Sequence, residues 1–246
     1  MSRNPCSPAP RPAALEGLLG RLGVDLYGYA DVAGLFPPPW DGWPRAISLA
    51  MRFGAEDLGG VDVECGPSAT YYAAYGRLNG ALNAASAEVE GALRAWGYGA
   101  RAYPATVSAG ELARDLGEGL CAPVQHKTVA TRAGLGWIGR SGVLVTPEYG
   151  PRVRLATVFT DLALPAGEPI DAGRCGACRR CVAACPAGAI RGAEWRVGSA
   201  REDPVDASAC RAVAERLMRE RVGAHDAVCG VCVAVCPFGR PAQASP

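Results

Sequence analysis

Eleven cysteines punctuate the chain, and eight of them stand beyond residue 170. Cys175, Cys178, Cys181 and Cys185 fall in RCGACRRCVAACP, with Pro186 behind the last. The spacing is C-x2-C-x2-C-x3-C-P, the ligand run of cubane iron–sulfur proteins, whose chemistry is one-electron transfer. Three thiolates on a tight loop take three irons of one cube, and the fourth enters a helix leading toward a second cube. A complete run therefore implies a partner run. CGVCVAVCP, residues 229–237, supplies Cys229, Cys232 and Cys236, one ligand short. Cys210 is the only cysteine between Cys185 and Cys229. The stretch after it, RAVAERLMRERVG, is made of good helix formers, so a short helix and a return loop bring Cys210 beside Cys229.

The expected ligand sets are Cys175, Cys178, Cys181 and Cys236 for a first 4Fe-4S cluster, and Cys185, Cys210, Cys229 and Cys232 for a second. Paired C-x2-C units also bind zinc, although zinc sites seldom carry the trailing Cys-Pro. Disulfides between cysteines this close would be strained. Cys6, Cys65 and Cys121 have no motif around them and are read as buried or free thiols.

Elements must hold these loops. ALPAGEPIDAG, residues 163–173, is rich in Pro and Gly and reads as a linker. It separates an N-terminal domain (1–166) from a double-cluster domain (167–246). In the first domain, AALEGLLGRLG after Pro12 reads as a helix ending at Gly23. VDLYGYADV and RAISLAMRF read as strands. Leu78, Leu82, Ala85, Val89, Leu93 and Trp96 recur on one face of a long helix over 71–96. GVLVT and RVRLATVFTDL read as two more strands joined by PEYGP. The fold class is α+β, without the strict strand–helix alternation of a doubly wound sheet.

The 246 residues are 49% hydrophobic, enough for one large domain or two modest ones. Twenty-five basic and 24 acidic residues give a net charge of +1, so no broad basic footprint for nucleic acid exists. The N-terminal MSRNPCSPAPRP has no apolar signal region and the chain no membrane-length apolar run, so a cytoplasmic protein is expected.

TRAGLGWIGRSG matches G-x-G-x-x-G through Gly134, Gly136 and Gly139. A dinucleotide site needs a strand before and a helix after, and here the order is reversed. Two readings remain: a helix C-cap with a tight turn, or glycines that let the backbone approach a large flat cofactor, flanked by Trp137 and Arg140.

QHKTVATRAGLGWIGRSGVLVTPEYGPRVRLATVFTDLAL, followed by the two cysteine runs, resembles the epoxyqueuosine reductase family, which is related to corrinoid-dependent reductive dehalogenases. The resemblance covers most of residues 12–240, including LGVDLYGYADV, PRAISLAMRF and the isolated Cys210. It implies a nitroreductase-like N-terminal α/β domain followed by a small bacterial-ferredoxin-like double-cluster domain. It implies cobalamin beside two 4Fe-4S clusters, with Gly134, Gly136, Trp137, Gly139, Arg140 and Ser141 lining the corrin. Electrons would pass singly through the clusters to cobalt, which would drive a two-electron reduction aided by a protein acid.

The chain departs from that pattern. Pro123 matches the family's proline, which places Leu120 where the family has its acid. His126 and Lys127 replace the following acidic–basic pair and are the candidate catalytic residues. His126 has an ordinary pKa suited to acid work, and its plainer reading is a structural residue. Cys121 is close in sequence. The chain ends ten residues after Cys236, so the family's C-terminal helical repeats are not seen and tRNA is not an expected partner.

His225, shortly before Cys229, is read as tuning or shielding its loop. Arg174, Arg179, Arg180 and Arg191 surround the first run, either as a docking face for a low-potential donor of ferredoxin or flavodoxin type or as solvated charge.

The leading expectation is a reductase of an unknown small molecule. An electron carrier without catalysis and a corrinoid-handling protein are the alternatives.

Overall fold

The computed structural model describes residues 12–64, 66–106, 122–200 and 202–239. Leu120, Cys6, Cys65 and Cys121 lie outside the described residues. In chain order the elements are α1 (Pro12–Arg21), β1 (Leu26–Asp31), β2 (Arg45–Arg52), α2 (Ala69–Ala95), β3 (Ala100–Tyr103) and α3 (His126–Arg132). They continue as β4 (Trp137–Ile138), β5 (Leu144–Val145), β6 (Val153–Thr160), α4 (Arg180–Ala183), α5 (Ala207–Arg221) and α6 (Val231–Ala234). The class is mixed α and β with small sheets.

Compactness divides the chain differently from composition. One unit comprises residues 1–51, 79–135 and 154–169, and the other 52–78, 136–153 and 170–246. The composition-based boundary at 166/167 marks where cysteines become dense, whereas the compact unit around them also recruits two earlier segments. Long-range packing of this kind leaves no local signature in sequence.

In the first unit the sheet order is β1-β2-β6-β3, with β1 antiparallel to β2 and β3 antiparallel to β6. Six consecutive residues of β2, Ala46–Met51, are buried, as expected of a strand covered on both faces. Phe36, Trp40, Tyr103, Val129 and Phe159 form a core cluster here, and Trp40 meets Tyr103 edge-on at 5.1 Å. On α2, Leu78, Leu82, Ala85, Val89 and Leu93 are buried as the periodicity requires, while Trp96 lies past the helix end. That end is a Schellman cap: Gly97 has φ +87°, its N–H donates to Arg94 O, and Tyr98 N–H donates to Leu93 O. The two-residue strand β4 and the strand β3 were not foreseen, because neither has room for an alternating pattern.

In the second unit β4 pairs antiparallel with β5, Trp137 opposite Val145 and Ile138 opposite Leu144. Residues 163–173 are not a free tether. Leu164 and Ile170 are buried. Gly167 N–H donates to Tyr29 O at 2.8 Å in the first unit, and Gly173 N–H to Trp195 O at 2.7 Å in the second. Proline and glycine here fix an extended path instead of loosening it. No helix among the described residues is long and apolar enough to cross a membrane.

Candidate metal centre

The first cysteine run turns tightly. Gly176 has φ +55°, Cys178 N–H donates to Cys175 O at 3.2 Å, and the single-turn helix α4 follows directly. Pro186 has no N–H to continue a helix, and the chain closes with Gly188 N–H on Cys185 O at 3.0 Å. A bridge then sets the next ligand. Ile190 pairs with Val205, Arg191 N–H donates to Pro204 O at 2.9 Å, and Asp206 N–H to Ala189 O at 2.9 Å. Asp206 caps α5 by accepting from Ala209 N–H at 2.9 Å. Chiefly through that bond, and also through Arg191 at 3.6 Å, its carboxyl is held below the usual range. Cys210 sits in the first turn of α5, so the sequence expectation that helix follows it is met with the cysteine itself inside the helix.

The second run begins at Gly230, φ +80°, where a Cβ would collide with the Tyr71 ring. Tyr72 donates to the Asp226 carboxylate just ahead of it. Arg152 clamps the end of the run, with Nη2 on Cys236 O at 2.6 Å and Nη1 on Phe238 O at 2.7 Å.

The eight thiols are free and half-buried. Burial pushes Cys181 up, and its charged-state neighbours are Cys175, Cys236 and Cys178. Burial also pushes Cys236 up, with Cys175 and Cys178 beside it and Arg152 opposing. Cys210 is raised by burial, then by Cys185 and Cys229. Cys229 is raised by burial and by Cys185. Cys232 is raised by burial, then by Cys229, Cys210, Cys181 and Cys185.

Cys175, Cys178, Cys181, Cys232 and Cys236 line one pocket, and Cys185 and Cys229 are the thiols that act on Cys210. Cys232, expected in the second set, thus stands at the wall of the first set's pocket, so the two sets adjoin. Thiols with raised pKa values are poor nucleophiles, and bound metal would deprotonate them outright.

The donor chemistry fits 4Fe-4S clusters. Every donor is sulfur. A cubane needs four thiolates arranged around a space. Cys175, Cys178, Cys181 and Cys236 line one pocket with Gly139, Arg140 and Ser141.

Those last three were expected to line a corrin. The unit boundary runs between Leu135 and Gly136, and from Gly136 onward the loop packs on the cysteines. A Cβ at Gly139 would lie 3.6 Å from Cys175 Sγ and 2.8 Å from Val145 Cγ2. Trp137 is buried, edge-on to Phe238 at 5.2 Å, with Cys175 packed alongside. Arg140 donates to Gly176 O at 2.7 Å and to Gly192 O. Glu194 lies 3.5 Å from the same guanidinium. Gly134 has φ +75°, and a Cβ there would be 2.8 Å from Glu168 O; one at Gly136 would strike Val145 O. At Gly134 and Gly136 the missing Cβ atoms make room for the chain's own backbone.

The expected acid takes a different part. His126 Nε2–H donates to Pro104 O at 2.9 Å, and Nδ1 accepts from Thr157 Oγ1 at 2.8 Å. Burial, aided by the Arg154 charge and opposed by the Pro104 bond, lowers its pKa to about 4. Both ring nitrogens are thus engaged within the fold, as a structural imidazole requires. Lys127 is half-buried in the first turn of α3.

His225 is exposed. Arg174, Arg179, Arg180 and Arg191 are exposed. Arg191 pairs with Asp206 and Arg179 reaches Gly192 O at 3.4 Å. Arg152, Tyr71 and Tyr72 were not singled out from the sequence. They lie far from the cysteines along the chain and carry no motif.

Residues 174–239 match the family described as the 4Fe-4S double cluster binding domain. The epoxyqueuosine reductase of Lactococcus garvieae (strain Lg2) is 37% identical over 112 residues, 46% of this chain and 31% of that protein. The tetrachloroethene reductive dehalogenase of Sulfurospirillum multivorans is 38% identical over 127 residues, 47% of this chain and 24% of that protein. The chain therefore spans about a third or less of the length of these two relatives.

A solved reductive dehalogenase, described as suggesting a mechanism for B12-dependent dehalogenation, superposes with TM-score 0.71 at 21% identity, over 98% of this chain and 34% of that one. A selenomethionine-labelled epoxyqueuosine reductase gives TM-score 0.61 at 17% identity, over 93% and 65%. At these identities the likeness is one of fold.

Proposed function

We propose that this chain, whose residues 174–239 are a 4Fe-4S double cluster binding domain, is an iron–sulfur oxidoreductase that passes electrons singly through two clusters to an acceptor. The observation that carries this reading is the set of eight free thiols in two cubane-type runs, five of them around one pocket. Bound clusters supply one-electron storage at potentials set by charge, hydrogen bonds and exposure. The chain supplies the rest. Arg140 fixes the Gly176 carbonyl in the first cysteine run and Arg152 the Cys236 carbonyl at the end of the second. Cys232 lines the pocket of the first quartet, so the two quartets adjoin.

The finer reading is a nitroreductase-like domain holding cobalamin that reduces a small molecule. It draws on likeness to the reductases and to the dehalogenase described as B12-dependent. A low-potential donor of ferredoxin or flavodoxin type would feed the clusters in the cytoplasm, and exposed Arg174 and Arg180 suit an acidic partner. Mixing cluster-loaded protein with cob(II)alamin and recording EPR tests the cofactor: loss of the nitrogen splitting supports it, and an unchanged base-on spectrum rejects it. The second reading, an electron carrier without catalysis, is favoured by His126, both of whose ring nitrogens are engaged within the fold.

A further inference from the structure

Two buried N–H groups in the second unit have no hydrogen-bond partner among the described residues: Trp137 Nε1 and Arg140 Nε. Buried donors are nearly always paired, and each exception calls for an acceptor that is part of the working protein. Both flank the same quartet. Arg140 lines the pocket with Cys175, Cys178, Cys181 and Cys236, and its Nη2 is already spent on Gly176 O inside the first loop. Trp137 packs in one cluster with Cys175 and Phe238. Sulfur, thiolate or sulfide, of an anionic cube is a chemistry able to accept from both. The second quartet is placed otherwise. No unpartnered buried donor among the described residues flanks it.

The geometry points to Trp137 and Arg140 as the N–H donors to the sulfurs of the first cluster, making it the more oxidising of the pair, where the first electron comes to rest. This rests on the double-cluster reading. Donors and positive charge favour the reduced, more anionic cube. Reduction adds one electron to one cube and breaks no bond. Electrons from a low-potential donor therefore enter at either cluster and settle on the first.

The test is an EPR-monitored reductive titration of the loaded full chain with dithionite, comparing wild type with Trp137→Phe and Arg140→Lys. Phe keeps the ring and loses the N–H; Lys keeps the charge and loses Nε. Each substitution is expected to lower the midpoint of the higher-potential cluster only, by about tenfold in its reduced-to-oxidised ratio, 59 mV for one electron. Iron content should stay at the wild-type level in Trp137→Phe, and if Arg140→Lys loads poorly the Phe variant decides. Full iron with both midpoints unmoved, or both moved equally, overturns the inference. A wild-type chain that takes up no iron and sulfide overturns the double-cluster reading instead.

Discussion

Arg152 holds Cys236 from behind: its Nη2 lies 2.6 Å from the Cys236 carbonyl oxygen while Nη1 takes Phe238 O at 2.7 Å. The last ligand of the first quartet is therefore fixed by a residue 84 positions earlier. Substituting Arg152 by Ala leaves two carbonyls without their charged donor, at about 1–3 kcal/mol each where water cannot replace it. The expected outcome is faster loss of one cluster to a chelator, followed by the fall in visible absorbance. Equal rates for variant and wild type would remove Arg152 from the account.

Cys210 tests the partition of ligands. Its neighbours are Cys185 and Cys229, so Cys210→Ala should leave about half the iron and the first cluster's EPR signal intact. Retention of about eight irons per chain would show that another group completes the second cube.

Gly230 and Gly223 form an internal control. Both have positive φ, +80° and +75°, but only at Gly230 would a Cβ collide with the Tyr71 ring, while Gly223 faces open space. Gly223→Ala should cost about 1 kcal/mol, the strain of a left-handed alanine. Gly230→Ala should cost more and impair loading of the second cluster. Parity of the two melting temperatures would contradict the close approach.

His126 should make stability pH-dependent. Its folded pKa is lowered from 6.5 to about 4, so the unfolded chain binds a proton that the folded chain refuses. The contribution is fully present above pH 6.5 and is lost as pH falls from there toward 4, up to about 3 kcal/mol. His126→Gln should flatten the acid limb of the denaturation midpoint against pH. An unchanged limb would mean that His126 titrates alike in both states.

The parts of this protein legible in sequence are those with short-range rules. Ligand spacing grouped Cys175, Cys178, Cys181 and Cys185, and elimination brought in Cys210. Periodicity found the buried stripe from Leu78 to Leu93 on α2. The illegible parts are made by distant segments. Nothing in RVRLATVFT announces that its first arginine clamps Cys236, and nothing around Tyr71 announces a cysteine loop. The motif Gly134–Gly139 shows the limit of pattern reading. Glycines that could admit a flat cofactor here admit the carbonyls of Glu168 and Val145, and only the packed chain tells the two apart. The imidazole of His126 likewise looked available until Pro104 and Thr157 closed on it.

The most direct measurement is iron, acid-labile sulfide and zinc per chain in anaerobically prepared full-length protein, with EPR of the reduced form. Two cubanes give about eight irons and about eight sulfides, with interacting signals from neighbouring clusters. One or two zinc ions without sulfide would contradict the double-cluster centre on which the proposed electron path depends.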